Sequence, residues 1–340
     1  MKTAVLEMLS LSIGYSRRSH AAHVVAEQLT ATLCEGEFVC LLGPNGAGKS
    51  TLLQTLTGIR APLSGSVLFD GVSIGTFPPR ELAKRLSVVL TQRVAAGMMP
   101  VEKLVALGRY PFTDWAGRLS KKDTEAVQRA IEATGIGPLA GRPFCELSDG
   151  EQQKVMIARA LAQEPRVMIL DEPTAFLDLP HRVELLHLLG RLAHDCACAV
   201  LMSTHELDLA LRCADRLWLL APGAPFVEGT PEDLVLQGAF SSTFASKLVQ
   251  FDQQTGAFRA ATQQRGAVAL QGDGVAGMWT SRALERAGYQ VVGAGEAEPW
   301  VEVAMDGADI CWWVGGKTST PCASLDAVLE SVSQEFGGRE

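Results

Sequence analysis

The sequence of 340 residues lacks several features that define large classes of protein. No stretch approaches the roughly 18 to 20 consecutive apolar residues that cross a bilayer, so no membrane span is predicted. Positive charge is not in excess: the net charge is −8, which disfavours non-specific binding to nucleic acid or anionic lipid. The N-terminal segment MKTAVLEMLSLSIGY has one lysine and no long apolar region, which is not typical of a signal peptide.

Cysteine chemistry is also sparse. The eight cysteines form no CxxC pair and no zinc-ligand spacing, which predicts small buried thiols in a reducing cytosol. Cys196 and Cys198 lie two apart in an apolar run, and we predict that they share one face of a strand. Apolar residues make up 47% and charged residues 20%, an ordinary globular balance that fits one large domain and one smaller one.

A glycine-rich loop between a predicted strand and a predicted helix is the first segment that indicates chemistry. It matches the pattern G-x-x-x-x-G-K-[ST] and consists of Gly43, Pro44, Asn45, Gly46, Ala47, Gly48, Lys49, Ser50 and Thr51. Glycines let backbone N–H groups approach phosphate oxygens, and the helix N-terminus favours the same negative charge. Lys49 is therefore predicted to reach the β- and γ-phosphates of a nucleotide, and Ser50 to ligate Mg²⁺.

A second segment supplies carboxylates. The apolar run Val167–Leu170 leads directly into Asp171 and Glu172, which are predicted to hold Mg²⁺ and to polarise an attacking water. A glycine turn that binds nothing and a solvated acidic strand end are the alternatives, and the occurrence of both patterns in one chain disfavours them. His205 follows the next apolar run, where a lone histidine is more often structural.

A third segment reads LSDGE. Its residues Ser148, Asp149, Gly150 and Glu151 form an S-x-x-E capping box, which predicts the start of a helix. A helix N-terminus, with its N–H groups and the Ser148 hydroxyl, also attracts phosphate, so the two interpretations are compatible.

The order GPNGAGKST, Gln92, LSDGE, VMILDEPTAFLD and His205 resembles the ATP-binding cassette (ABC) family. The resemblance implies an α/β fold: a P-loop NTPase with a RecA-like core and a helical insert. It also implies ATP and Mg²⁺ as ligands, and a homodimer in which each nucleotide lies between two copies. Lys49, Glu172, His205 and Gln92 would be catalytic, and Gln92 would also sense the metal held by Ser50 and Asp171.

Three further roles follow from the same resemblance. Tyr15 would stack on adenine, since the family keeps an aromatic residue there. The signature residues 148–151 would contact the γ-phosphate bound to the other protomer, and Asp178 would bridge the two half-sites. Asp149 replaces the usual glycine, and its carboxylate should slow hydrolysis unless it is turned away or paired. Ala175 stands where serine is common.

The segment LGRYPFTDW (Leu107–Trp115) lies where the family contacts its permease. With the order of elements, it resembles the ATPases of iron–siderophore, haem and cobalamin importers. This implies separate permease subunits, an indirect solute-binding protein, no nucleic-acid partner, and a peripheral position on the cytoplasmic face of the inner membrane. An exporter ATPase is the nearest alternative. A DNA-repair or translation cassette is disfavoured, because the chain has no sustained heptads and a single cassette.

We predict two domains: a nucleotide-binding domain over residues 1–250, with its helical insert at about 93–160, and a small α/β appendage over 251–340. The appendage is predicted as strand, helix, strand, strand, helix. Gly272–Gly277 matches GxGxxG, but the segment is too short for a full dinucleotide fold, so a structural or regulatory role is favoured. Trp312 and Trp313 are predicted to lie in a strand covered on both faces.

Overall fold

The computed structural model describes residues 3–17, 20–91, 94, 96–244, 249–253, 256–260, 265–306, 309–316 and 319–337. The chain divides into two compact units, Met1–Arg259 and Ala260–Glu340. Each unit mixes helices and strands, which confirms the predicted α/β class. No helix among the described residues is long and apolar enough to cross a membrane.

The strands up to the boundary are β1 (Ala4–Arg17), β2 (His20–Cys34), β3 (Phe38–Leu42), β4 (Ser64–Phe69), β5 (Val72–Ser73), β6 (Leu86–Val89), β7 (Val167–Asp171), β8 (Ala199–Ser203), β9 (Arg216–Leu219), β10 (Val227–Gly229), β11 (Val249–Asp252) and β12 (Ala257–Ala260). The helices are α1 (Lys49–Leu56), α2 (Pro79–Ala83), α3 (Val101–Ala106), α4 (Lys121–Thr134), α5 (Asp149–Leu161), α6 (Leu179–Cys196), α7 (Leu207–Cys213), α8 (Pro231–Leu236) and α9 (Ala239–Thr243).

A six-stranded sheet in the order β10-β9-β3-β8-β7-β6 forms the centre of the first unit. All neighbouring strands in it are parallel except the pair β9–β10. The central strands β3 and β8 are buried along their whole length, because apolar side chains cover both faces of the sheet. The carboxyl ends of β3, β7 and β8 therefore meet at one edge, where loops can place polar groups.

A second, antiparallel sheet in the order β2-β1-β4-β5 packs its apolar side chains into the same unit. Between β4 and β5 the chain turns at Asp70 and Gly71, both with positive φ, as a tight two-residue hairpin requires. The long pair β1–β2 is interrupted by several register shifts, for example between Met8 and Leu11.

The helical insert has a small core of its own. Apolar side chains from α3, α4 and α5 form one buried cluster, which includes Leu104, Ile131 and Val155. Helix α4 starts with a capping box at Ser120 and ends at Gly135, which is left-handed (φ 71°).

The remaining predictions for the first unit are mostly confirmed. The strands β3, β7 and β8 and the helix α1 form where the apolar runs and the glycine-rich loop predict them, and α6 connects β7 to β8. Thr230 caps α8 by accepting a hydrogen bond from the Asp233 amide. The prediction for Cys196 and Cys198 is wrong: Cys196 ends α6, Ala197 is left-handed, and Cys198 precedes β8, so the two thiols share no strand face. Cys145 and Cys196 are exposed, so the thiols are not uniformly buried.

The second unit contains β13 (Gly266–Gln271), α10 (Gly274–Arg286), β14 (Tyr289–Val292), β15 (Trp300–Asp306), β16 (Asp309–Gly315), β17 (Ser319–Cys322) and α11 (Leu325–Gly337). Its sheet has the order β14-β13-β15-β16-β17, with β14, β13 and β15 parallel and the rest antiparallel. Two strands, β15 and β17, were not predicted.

The two tryptophans of β16 point to opposite sides of this sheet. Trp312 packs against the buried cluster of the unit, and its Nε1 donates to Thr280 Oγ1 on α10 at 2.8 Å. Trp313 is 40% exposed. The prediction of a strand covered on both faces is therefore wrong for Trp313, because alternate strand residues face opposite sides and the helix-packed side takes Trp312.

Candidate nucleotide site

The glycine-rich loop joins β3 to α1 at the carboxyl edge of the parallel sheet. Gly48 precedes α1 with φ 98°, and a Cβ there would lie 2.3 Å from Val25 Cγ1, so only glycine fits. The Lys49 ammonium lies back along the loop, where its Nζ donates to the carbonyls of Gly43 (2.9 Å) and Pro44 (3.2 Å). The loop thus holds a cation and the amide end of a helix at one place, which suits an anion.

The charge of Lys49 depends on its surroundings. Burial lowers the pKa of its ammonium below the ordinary lysine range, and the carboxylates of Glu172 and Asp171 oppose this shift. Lys49 therefore interacts electrostatically with both acidic residues at the end of β7. Sequence segments more than a hundred residues apart meet here because β3 and β7 both flank β8 in the sheet.

The acidic pair is held by hydroxyl groups. Asp171 Oδ1 accepts from Ser203 Oγ at 2.7 Å, and the same Oγ accepts from the Glu172 amide at 2.9 Å. Thr91 Oγ1 donates to the Asp171 carbonyl at 2.6 Å. Neither Ser203 nor Thr91 was predicted, since no motif marks them.

Glu172 and His205 lie together, at the two positions that the family resemblance implies. His205 Nε2 lies 2.6 Å from Glu172 Oε1. Glu172 has φ 48°, in the left-handed region that a non-glycine residue adopts only where its surroundings impose it. A carboxylate paired with an imidazole at a strand end can position and deprotonate a water.

Tyr15 lies beside the start of α1. Its hydroxyl is 3.1 Å from Thr51 Oγ1, and the residue is 42% exposed. The Arg60 guanidinium lies 4.3 Å from the ring centroid, a cation–π contact that the sequence did not reveal, because Arg60 belongs to no motif. The exposed aromatic ring next to the phosphate loop is suited to stacking on a base.

The LSDGE segment forms the predicted capping box of α5. Ser148 Oγ accepts from the Glu151 amide at 3.3 Å, and Glu151 Oε2 accepts from the Ser148 amide at 2.8 Å. The bond from the Ser148 amide lowers the pKa of the Glu151 carboxyl, a shift that burial opposes and the Ser148 hydroxyl reinforces. Asp149 is exposed in the first turn, and Gly150 packs against the His181 ring.

Asp178 occupies the N-cap of α6. Its carboxylate accepts from the His181 amide at 3.2 Å and also pairs with His181 Nδ1. The hydrogen bond from the His181 ring is the main cause that lowers the pKa of the Asp178 carboxyl. Ala175 lies three residues earlier, with its amide bonded to the Glu172 carbonyl.

The predicted residues fall into two groups. Lys49, Asp171, Glu172 and His205 share the carboxyl edge of the sheet, with Ser50, Thr51 and Tyr15 at the adjoining start of α1. The signature residues form their own group at the first turn of α5, and a narrow cavity of about 40 Å³ separates Asp149 and Gln152 from Thr91 and Glu172. Gln92, predicted to be catalytic and metal-sensing, lies outside the described residues.

The GxGxxG segment of the second unit has a different geometry. A Cβ at Gly277 would lie 2.2 Å from the Gly272 carbonyl oxygen, so glycine there permits α10 to pack against the end of β13. The residue before α10 is Asp273, whose side chain makes no capping bond. Close packing thus accounts for this pattern.

Comparison with known proteins agrees with this geometry. The sequence profile described as ABC transporter matches residues 26–175, and the profile described as iron ABC transporter C-terminal domain matches residues 265–333. The second unit, whose own motifs indicate no function, is thus similar to the C-terminal domains of iron ABC transporters.

Three curated relatives illustrate the similarity. An ABC transporter ATP-binding protein of Methanocaldococcus jannaschii is 41% identical over 254 residues, 75% of this chain and 86% of the relative. The ferric enterobactin transport ATP-binding protein of Escherichia coli is 39% identical over 66% of this chain and 81% of its own. The iron(3+)-hydroxamate import ATP-binding protein of Bacillus subtilis is 36% identical over 69% and 85%.

Solved structures share the fold of the first unit. An inward-facing putative metal-chelate type ABC transporter superposes with a TM-score of 0.61 and 26% identity, covering 76% of this chain and 96% of the solved one. A dimeric bacterial ABC transporter cassette superposes with a TM-score of 0.57 and 24% identity, covering 66% and 98%, which shows the fold alone. Since the fold, the profiles and relatives matched over more than four fifths of their length all agree, the chain belongs to the ATP-binding subunits of ABC transporters, whose ATPase activity is coupled to transport.

Proposed function

We propose that the carboxyl edge of the first unit is the ATP hydrolysis site of this chain. The observation that carries the proposal is the meeting of Lys49, Asp171, Glu172 and His205 beside a glycine loop and a helix N-terminus. The amides of Gly46, Ala47, Gly48 and Lys49, with the Lys49 ammonium, would hold the β- and γ-phosphates. Tyr15 would stack on the adenine ring from the edge of the same loop.

The donor set at this edge also fits a magnesium ion. Ser50 supplies a hydroxyl at the start of α1 and Asp171 a carboxylate at the end of β7, and Mg²⁺ prefers one or two such oxygens together with phosphate oxygens and waters. When bound, the ion neutralises charge on the phosphates during transfer. We include Gln92 in this set on the family resemblance.

The chain's own residues then divide the remaining work. Glu172 Oε1 accepts a proton from the attacking water, and His205 Nε2, 2.6 Å from that oxygen, fixes the carboxylate and the water between them. Lys49 stabilises the negative charge that develops on the β- and γ-phosphate oxygens as the bond between these two phosphates breaks. We assign these roles to residues 1–250 and place residues 251–340 outside the site.

We further propose that the working form is a homodimer. Ser148 and Gly150 at the first turn of α5 present a helix N-terminus, which would complete the site of a second copy rather than its own. Asp149 and Glu151 lie in the same turn, so their charges would affect that contact, and Asp178 at the start of α6 would lie between the two sites. A cassette of this fold is described as dimeric.

The Glu172→Gln variant tests the shared site. It removes the base while leaving the phosphate contacts, so ATP and Mg²⁺ should trap a stable dimer that light scattering detects. Lys49→Ala serves as the control, because it weakens phosphate binding and should remain monomeric. A Glu172→Gln chain that stays monomeric at saturating ATP and Mg²⁺ would contradict the shared-site proposal.

For the cargo, we propose an iron chelate of the siderophore type, imported through separate integral-membrane permease subunits. This chain would bind them peripherally, at the cytoplasmic face of the inner membrane. The support is the iron ABC transporter C-terminal profile over residues 265–333, with relatives named for ferric enterobactin and iron(3+)-hydroxamate. Tyr110 and Trp115, 75% and 98% exposed in the helical insert, offer aromatic side chains for a permease contact. The solute-binding protein would act indirectly, through the permease.

Uptake measurements separate the possible cargoes. Cells whose only copy carries Lys49→Ala should lose uptake of labelled iron–siderophore and retain uptake of haem and cobalamin. A chain with Glu125→Ala, on the exposed side of α4 away from the site, is the control and should import normally. Loss of haem or cobalamin uptake instead would reassign the cargo, and loss of none would refute import of these chelates.

A further inference from the structure

The peptide bond between Asp171 and Glu172 is held on both sides by hydroxyl groups. Its carbonyl accepts from Thr91 Oγ1 at 2.6 Å, and its N–H donates to Ser203 Oγ at 2.9 Å. Both atoms belong to one planar peptide unit, so two bonds fix the plane of that unit. Ser203 Oγ also donates to Asp171 Oδ1 at 2.7 Å, which uses its single hydrogen.

The two hydroxyls come from opposite neighbours of β7. Ser203 is the last residue of β8 and pairs in register with Asp171. Thr91 follows the end of β6, the strand on the other side of β7. Ser203 is fully buried and both of its bonds are made inside the sheet edge, so its geometry is set by the sheet rather than by solvent.

The fixed peptide explains the backbone at Glu172. This residue is left-handed (φ 48°), and the loss of either hydroxyl would free the preceding peptide to rotate and let φ return to the extended region. With this left-handed turn, the Glu172 carboxylate lies 2.6 Å from His205 Nε2. The same clamp orients Asp171 through its side chain. One hydroxyl thus couples the metal-binding carboxylate to the basic carboxylate.

We propose that Ser203 and Thr91 are positioning residues for ATP hydrolysis, forming a hydroxyl clamp on the Asp171–Glu172 peptide. The inference rests on the roles proposed above for Asp171 and Glu172. Neither hydroxyl lies in the glycine loop. The clamp therefore affects the rate of the chemical step and the affinity for Mg²⁺, and not the affinity for the nucleotide. Its loss misplaces the base and the metal ligand together.

The test compares variants that remove or keep each hydroxyl in the purified full chain. Ser203→Ala should lower kcat about 10- to 100-fold, the range seen for supporting partners of a metal site, and raise the half-saturating Mg²⁺ concentration. Thr91→Val, which is isosteric, should lower kcat about fivefold, as for one lost neutral hydrogen bond. The Kd for a fluorescent ATP analogue should stay within about twofold in both.

Conservative variants separate positioning from simple stability. Thr91→Ser keeps the hydroxyl and should restore kcat, and Ser203→Thr should recover part of the rate lost in Ser203→Ala. Ser87→Ala is the matched control: Ser87 is a buried serine on β6 whose Oγ has no partner among the described residues, so its removal should leave kcat unchanged.

Three results would overturn the clamp. Wild-type kcat in Ser203→Ala and Thr91→Val, with Glu172→Gln inactive, would refute the clamp while leaving the proposed site intact. If kcat fell in proportion to the melting temperature, and did so in Ser87→Ala as much as in Ser203→Ala and Thr91→Val, the two hydroxyls would contribute to stability alone. Full activity in Glu172→Gln would refute the role of Glu172 itself, and the clamp with it.

Discussion

Two segments of this chain share the same outline of strand, glycine loop and helix. In the first unit, β3 leads through Gly43–Gly48 into α1, and in the second, β13 leads through Gly272 into α10. The first loop buries a lysine whose ammonium donates to the Gly43 carbonyl and interacts electrostatically with two carboxylates at the sheet edge. The second places Asp273 before its helix, and its Gly277 serves contact between helix and strand.

The difference shows what a glycine pattern can establish. Glycine supplies left-handed backbone or close approach, and either need produces the same letters in the sequence. What distinguishes a phosphate site is a cation within the loop and acidic residues on the neighbouring strand ends. The first three of the following four predictions test this contrast and the fourth tests the signature helix, from the largest expected effect to the smallest.

The rate of ATP hydrolysis should depend most strongly on the positive charge of Lys49 in the first loop. Lys49→Ala should reduce the rate of ATP hydrolysis by roughly 10²- to 10³-fold or more, because it removes a buried cation aimed at the transferred phosphate. Asp273→Ala, at the residue that precedes α10, should leave the rate unchanged. Steady-state phosphate release measures both, and equal effects at the two positions would break the comparison.

Nucleotide should stabilise one unit and not the other. With ATP and Mg²⁺ at about a hundred times Kd, the first unit should gain about 2.7 kcal/mol in free energy of unfolding. The second unit should gain nothing if its glycine loop binds no nucleotide. Hydrogen exchange measured by peptide mass spectrometry reports each unit separately; protection by ATP of peptides from 266–286 would show a second nucleotide site.

The glycines of the second loop should matter for stability alone. Gly277→Ala forces a methyl group against the Gly272 carbonyl and should destabilise the second unit by about 1–3 kcal/mol, the cost of overpacking. Gly274→Ala is the matched control, since its φ of 72° is unfavourable but the space is open. It should cost about 1 kcal/mol. Urea unfolding measures both, and a loss of ATPase activity in Gly277→Ala would contradict the packing role.

The smallest effect concerns the pH dependence of the signature helix. Because the folded-state pKa of Glu151 is lowered, its contribution to stability is present above the unfolded pKa and is lost as pH falls through the folded pKa. Glu151→Gln keeps the capping box but cannot titrate, so its stability should fall less between neutral and acidic pH. Unfolding curves at several acidic pH values measure this; identical slopes for both chains would contradict it.

Much of the fold followed from the sequence where local signals agree with tertiary structure. Buried parallel strands read as continuous apolar runs, and α4 and α8 carry their own caps. The long pair β1–β2 escaped prediction because register shifts interrupt its alternation. Strand β17 is short, contains Pro321 and lies at the sheet edge, so only its partner β16 defines it.

The site divides in the same way. Lys49, Asp171, Glu172 and His205 were predictable because the spacing and order of their motifs are distinctive. Ser203 and Thr91 were not, because an ordinary hydroxyl at a strand end acquires its role only when the sheet brings it beside Asp171. The contact between Arg60 and Tyr15 was not predictable either, because only the fold brings these two residues together.

The buried Arg109 of the helical insert has a mechanical consequence. It is 1% exposed, bonds to Asp123 of α4, to Glu164 and to the Ala162 carbonyl just past α5, and lies under the Phe112 ring. Tyr110 follows Arg109 in the chain. The bonds of Arg109 therefore connect the segment that carries Tyr110 to the C-terminal end of α5. The 13 residues of α5 span roughly 20 Å, and Ser148 caps the opposite end. Helix α5 therefore connects the loop at Tyr110 to Ser148, and we expect a displacement of that loop to move the serine that is proposed above to contact a phosphate of a second copy.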